Sequence, residues 1–172
     1  MTLFLIGYMG SGKSVVGQNL AEVLGYNYLD FDDYISEKEQ CSITDIFESK
    51  GEIYFRKAEY KYLNDLLGSS HTVVSLGGGT PCYGDNMKTL LSMNDARVIY
   101  LKATIPTLTQ RLFEERNKRP LIAHITSIDE LMEFIGKHLF ERAPFYEQAN
   151  MIINSNDKTI EEIVEEILLN LY

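Results

Sequence analysis

Apolar positions follow two rhythms along this chain. Short unbroken runs alternate with stretches in which apolar residues recur every three or four positions. Leu3-Phe4-Leu5-Ile6 has no polar face, which predicts a central strand covered on both sides. Beyond a glycine-rich turn, Val16, Leu20, Val23 and Leu24 recur at helical spacing, and Gly25 is placed to end that helix. Tyr28-Leu29 predicts a second short strand, and Ser42 with Asp45 has the form of a capping box ahead of Ile46 and Phe47. A further helix is predicted from about Glu52 to Leu67. The run His71 to Leu76 predicts a third strand, followed by Gly77-Gly78-Gly79 and another helical segment.

The same alternation continues to the end of the chain. Arg97 to Leu101 predicts a strand, and a helix begins near Pro106, a residue suited to a first helical turn. From Glu114 to Ala123 periodicity fails around a central proline, the signature of a mobile loop. Ser127 and Glu130 form a capping box for a helix whose apolar face is Ile128, Leu131, Met132, Ile135 and Leu139. Met151 to Ile153 predicts a last strand that turns at Asn154-Ser155-Asn156. The final helix carries Ile160, Ile163, Val164, Ile167, Leu168 and Leu171 on one face and its acidic residues on the other. About five strands alternating with helices predict an α/β fold, a parallel sheet between two helical layers. Neither repeat nor linker divides residues 1–172, so one domain is expected.

Charge changes the picture in one respect. The formal net charge of −9 repels a phosphate backbone and argues against a nucleic-acid partner. Any anionic ligand must therefore meet a local cluster of cations. Arg116, Lys118 and Arg119 form such a cluster inside the aperiodic segment, where bound phosphates would draw the loop shut and exclude water. Cys41 and Cys82 have no metal spacing and are expected to be reduced thiols. Without a signal-like leader or a membrane-length apolar run, the expected location is the cytoplasm. An acidic domain of this size is expected to be a monomer.

The most specific chemical signal is Gly7-Tyr8-Met9-Gly10-Ser11-Gly12-Lys13-Ser14, a full GxxxxGK[ST] between a buried strand and a helix N-terminus. Backbone N–H groups of such a loop surround phosphate oxygens, the lysine reaches the β- and γ-phosphates, and the serine hydroxyl can ligate Mg²⁺. Gly10, Ser11, Gly12, Lys13, Ser14 and Val15 are thus the expected ATP-binding stretch. The third strand ends in glycine with no carboxylate for the metal. Asp30 is then the candidate for the metal's outer shell, or else the N-cap of a following helix. The triple glycine offers bare backbone at a strand end, where α/β sheets bind ligands.

In order, these features resemble the shikimate kinase family over essentially the whole chain. The resemblance is carried by Gly7 to Ser14, Asp30-x-Asp32, Ile46-Phe47, Gly51-Glu52-x-x-Phe55-Arg56-x-x-Glu59, Ser75 to Gly79, Arg119-Pro120-Leu121 and Arg142-x-Pro144-x-Tyr146. It implies a three-layer P-loop NTPase fold of the nucleoside monophosphate kinase type, with a five-stranded parallel sheet ordered 2-3-1-4-5. It implies transfer of the γ-phosphoryl of MgATP to the 3-hydroxyl of shikimate, a step of aromatic amino acid biosynthesis. It implies that Asp32, Arg56, Gly78, Gly79 and Arg142 surround shikimate within a substrate-binding region at about 32–62. Arg119 would lie on a lid at about 113–124, and Arg111 with the turn around Ser155 would lie near adenine. Lys13, Asp32 and Arg119 would be the catalytic groups.

The residues themselves permit that chemistry. A carboxylate substrate suits guanidinium, which can hold both oxygens, so Arg56 and Arg142 are candidates. Arg56 has another reading as an i,i+4 partner of Glu52, and Arg142 as complement to a helix C-terminus. Asp32 can accept a hydrogen bond from the attacking hydroxyl, as orienter or base. Phe47 and Phe55 are expected to wall the pocket or fill the core. His71, His124 and His138 lack ligand spacing and receive no role. Gluconate or another polyol kinase of this fold is the alternative, against which the triple glycine and paired arginines argue. A nucleotide-dependent switch would normally carry NKxD, and Asn117-Lys118-Arg119-Pro120 has proline where the aspartate belongs.

Overall fold

The computed structural model describes residues 1–172. Its centre is β1 (Thr2–Ile6), in which every residue is buried. The strand pairs in parallel with β3 (Thr72–Ser75) on one side and β4 (Ala96–Lys102) on the other. The edges are β2 (Asn27–Asp30), beside β3, and β5 (Met151–Asn154), beside β4, giving the order β2-β3-β1-β4-β5. This is the expected P-loop fold of the nucleoside monophosphate kinase type.

Side chains alternate across a strand, so β1 serves two cores. Leu3 and Leu5 pack into one with α1 (Lys13–Leu24) and α7 (Ile160–Leu171). Phe4 and Ile6 enter a larger one beneath α2 (Phe31–Glu39), α3 (Ile43–Asp65), α4 (Asn86–Ser92), α5 (Ile105–Glu115) and α6 (Ile128–Tyr146). The register sets Leu5 level with Ser75, and Ser75 level with Asp30. The chain therefore leaves β1, β2 and β3 at one edge of the sheet, where the glycine loop, Asp32 and the triple glycine meet.

Local signals explain most boundaries. Gly25 closes α1 in the left-handed conformation that glycine favours. Ser42 and Asp45 make the expected capping box, and Thr159 with Glu162 makes another ahead of α7. Gly51, at φ 81° and ψ 171°, breaks α3 into two helical pieces, which is why sequence periodicity restarts near Glu52. Other expectations are corrected. Helix α2 is signalled only by Asp30 as a possible N-cap: its apolar positions are few, and Asp30 starts it by accepting the N–H groups of Asp32 and Asp33. Val23 faces solvent, because the buried stripe of α1 narrows to Val16, Gly17, Leu20 and Ala21. Ile128 and Met132 are likewise exposed, leaving Leu131 and Ile135 as the buried face of α6.

The aperiodic segment is more ordered than a loop. Glu114 and Glu115 complete α5, a 3-10 turn spans Arg116–Lys118, and fully buried Ile122 anchors the stretch beyond that turn. Cys41 and Cys82 are free thiols. No helix is long and apolar enough to cross a membrane.

Candidate active site

The glycine loop is shaped by contacts that exclude side chains. Gly7 sits at φ 147°, and a Cβ there would stand 2.7 Å from the Leu101 carbonyl oxygen. The loop ends at Gly12, also at positive φ, where α1 begins with its first N–H groups unpaired by any side-chain cap. Lys13 curls back over the loop and donates to the carbonyls of Gly7 (2.9 Å) and Tyr8 (3.0 Å). Burial pushes its ammonium down to about 8; Asp32 and Asp30 pull the other way, Arg119 and Arg142 with the burial.

A cleft of about 590 Å³ opens over this loop. Gly10, Ser11, Gly12, Lys13, Ser14 and Val15 form its floor, as the motif predicts. Arg119 and Glu115 line its rim, joined by a 2.9 Å ion pair, so the segment carrying Arg119 stands at the cleft. Arg111 closes one end, donating to the carbonyls of Gly10 (3.2 Å) and Ser155 (3.1 Å). It thereby ties the loop to the turn after β5, where Ser155 is buried and bonded to Lys102.

Asp30 is the N-cap of α2 and also stands beside the Ser14 hydroxyl. One carboxylate oxygen caps α2, while the other lies 3.5 Å from the exposed Ser14 hydroxyl. No cluster of three or more acidic, histidine or cysteine ligands exists. A hydroxyl beside one carboxylate still fits Mg²⁺, which keeps several waters and takes its remaining ligands from phosphates. Asp32 lies one residue into α2 and also lines the cleft. Burial, reinforced by Asp30 and Glu59, pushes its carboxyl up to about 6. Its Oδ1 would stand 2.9 Å from a Cβ on Gly77, so the first of the three glycines makes room for that carboxylate.

The other two glycines make room for cations. A Cβ on Gly79 would meet the Arg56 guanidinium at 2.9 Å, and one on Gly78 would meet Arg142 Nη1 at 3.3 Å. Arg56 stacks on the Tyr83 ring at 3.8 Å and lines a second hollow with Glu52 and Ile53. The i,i+4 contact with Glu52 exists at 3.5 Å, but the tighter partner is Glu59, at 2.7 Å. Glu59 is 1% exposed and also accepts the Thr80 hydroxyl at 2.6 Å, so it fixes both the guanidinium and the chain after the glycines. Burial pushes the Glu59 carboxyl up, against the pull of Arg56 and of the Thr80 bond.

Arg142 lies in the last turns of α6 but takes part in none of the eight ion pairs. Its charge is uncommitted. Tyr146, one turn on, donates to the Gly78 carbonyl at 2.5 Å and holds α6 against the glycines.

Phe47 and Phe55 do not line the cleft over the phosphate loop, and neither do Arg56 and Arg142. Phe55 is buried beneath Arg56 (5.3 Å), and Phe47 packs on it from a half-open edge. Glu59 and Tyr146 carry no role among the sequence expectations, and His138 is expected to have none. The signal for Glu59 was its i+3 spacing from Arg56. His138 lies within hydrogen-bonding distance of the buried Tyr8 hydroxyl, a contact that only the fold reveals.

The chain matches the family model described as shikimate kinase over residues 9–172. A curated shikimate kinase of Flavobacterium johnsoniae is 46% identical over 167 residues, covering 96% of each chain. The crystal structure of shikimate kinase from Bacteroides thetaiotaomicron superposes with a TM-score of 0.91 at 34% identity, covering 99% of this chain and 98% of that one. A shikimate kinase from Acinetobacter baumannii, solved in complex with shikimate, gives 0.85 at 32%, covering 99% and 92%.

Proposed function

The chain belongs to the shikimate kinase family, and from that premise we propose that it transfers the γ-phosphoryl of ATP to the 3-hydroxyl of shikimate. The observation that carries this reading is the pair of guanidiniums, Arg56 and Arg142, facing side-chain-free backbone at Gly78 and Gly79 beside Asp32. A small carboxylate with ring hydroxyls suits such a set of groups: two forked cations for the acid, one carboxylate for a hydroxyl.

On the donor side, the N–H groups of Gly10 to Val15 would surround the phosphates. Arg111 and the Ser155 turn would border adenine. Lys13, freed from its two carbonyls, would move onto the β- and γ-phosphates. Ser14 and Asp30 would hold Mg²⁺, which when bound supplies charge neutralisation between the phosphates. Asp32 would accept the hydrogen bond of the attacking hydroxyl and take its proton late in transfer. Lys13 and Arg119 would stabilise charge on the transferring group. Residues 113–124 would act as the lid and about 32–62 as the substrate-binding region. One chain supplies every group named, which supports a monomer, and the free thiols fit a reducing cytoplasm.

The test is ADP release from MgATP with shikimate, with gluconate and with no acceptor, Arg56→Ala serving as control. Shikimate-dependent release that collapses in the variant is the expected result. Equal release with and without shikimate would overturn the reading.

A further inference from the structure

Three residues on one face of α6, spaced by four, each touch the site. His138 meets the phosphate loop, Arg142 faces the glycines, and Tyr146 grips the Gly78 carbonyl. The loop end of this frame is Tyr8, 1% exposed, whose hydroxyl lies 3.0 Å from His138 Nδ1. The same residue's carbonyl accepts Lys13, and its ring lies 5.7 Å beneath the Arg142 guanidinium. Phe134 packs on the His138 ring from the preceding turn (4.6 Å) and restricts how it can rotate.

Direction follows from satisfaction of the phenol. The hydroxyl has no other partner, so an Nδ1–H donor on His138 would leave the buried phenolic proton unpaired. The phenol therefore donates and the imidazole accepts, carrying its own proton on Nε2. Burial pushes Tyr8 up to about 12, and burial with the nearby Arg142 cation pushes His138 down, so both stay neutral. Arg142 has no carboxylate partner; its neighbours are Tyr146 on the same helix, the Tyr8 ring and the Gly78 backbone, so its place follows that of α6 against the loop.

We propose that His138 is a positioning residue for Arg142: by accepting the Tyr8 hydroxyl it ties α6 to the phosphate loop and sets the acceptor-binding cation against the nucleotide-binding backbone. This rests on the acceptor reading given above. The contact joins the two substrate sites without touching either substrate.

The experiment is a double-mutant cycle on the full-length enzyme, with KM for shikimate, KM for ATP, kcat and the unfolding midpoint measured throughout. His138→Phe keeps a ring but removes the acceptor, and Tyr8→Phe removes the donor. His138→Asn restores an acceptor near the Nδ1 position. Each single Phe variant is expected to raise KM for shikimate by about threefold to tenfold, the size of one buried neutral hydrogen bond. The double variant should be no worse than either single, and His138→Asn should recover most of the loss. Effects that multiply in the double variant, or a KM for shikimate unchanged in His138→Phe, would overturn the inference while the wild type still turned over shikimate. A wild type without shikimate-dependent turnover would overturn both this inference and the acceptor reading.

Discussion

The two halves of the site are built from different materials. On the phosphate side, geometry comes from backbone: one continuous stretch, Gly7 to Ser14, bent through positive φ at Gly7, Gly10 and Gly12 and followed by a helix N-terminus. On the proposed acceptor side, geometry comes from four separate segments brought together by the fold. These are Asp32 on α2, Arg56 on α3, the glycines after β3, and Arg142 on α6. Buried Glu59 and the hydroxyl of Tyr146 hold them together. A backbone site tolerates little change in shape but needs no partner residues. A side-chain site can be retuned, yet fails when a supporting carboxylate is lost.

Asp32→Asn gives the largest expected change, because it removes the proposed hydrogen-bond acceptor of the attacking hydroxyl and a strained charge together. Turnover should fall on the order of a hundredfold to a thousandfold, the range for losing a general base or a preorganised electrostatic group. Stability should move the other way. The Asp32 carboxyl is pushed up to about 6, above an unfolded value of about 3.9, so the folded protein binds the proton more tightly. Stability conferred by the protonated form is therefore lost as pH rises between those values, and ionised Asp32 costs stability at neutral pH. Thermal unfolding of the variant at pH 7 should occur a few degrees higher, the gap closing below about pH 4. Wild-type turnover should decline as pH falls through about 6. A variant that is inactive but no more stable would show that burial does not strain this carboxylate.

Glu59→Ala tests dependence on a supporting carboxylate. The change strands Arg56 and the Thr80 hydroxyl together. Breaking a buried pair costs about 3 kcal/mol, here expected alongside a raised KM for shikimate and a nearly unchanged KM for ATP. Denaturant unfolding with steady-state kinetics would check it. Equal losses for both substrates would mean that the halves are not separable.

That asymmetry also explains what could be read without coordinates. Gly7 to Ser14 is contiguous, so its spacing alone carries its geometry, and the strand that feeds it is marked by unbroken apolarity. Sheet order and the acceptor residues came from family resemblance, since nothing local tells Arg56 that it will face Gly79. Glu59 shows the limit: at i+3 from Arg56 it looks like a surface helix pair, and only burial against Thr80 turns it into a support. Helix α2 escaped because its start depends on Asp30 capping rather than on an apolar stripe. Residues 114–123 show no periodicity because a single buried side chain, Ile122, rather than an apolar stripe anchors them.

A matched pair of glycine substitutions gives the smallest and sharpest contrast. Gly7→Ala forces a Cβ to 2.7 Å from the Leu101 backbone carbonyl at a left-handed φ, and should destabilise by about 2 kcal/mol or more. Gly79→Ala meets only the end of the Arg56 side chain, which can give by a few tenths of an ångström without leaving Glu59. It should keep stability within about 1 kcal/mol while raising KM for shikimate several-fold. Differential scanning calorimetry beside kinetics reads both. Similar destabilisation by the two changes would erase the distinction between backbone-built and side-chain-built halves.

The central claim is that two guanidiniums, Arg56 held by Glu59 and Arg142 without a carboxylate partner, meet the acceptor's carboxylate. The most direct measurement is the ratio of kcat/KM for shikimate to that for its neutral methyl ester, in the wild type and in Arg142→Met. The account predicts strong preference for the acid in the wild type and a fall in that ratio by on the order of tenfold to a hundredfold in the variant, the worth of a charge-assisted hydrogen bond. A ratio left unchanged by Arg142→Met would mean that this cation does not meet the carboxylate, and would contradict the account.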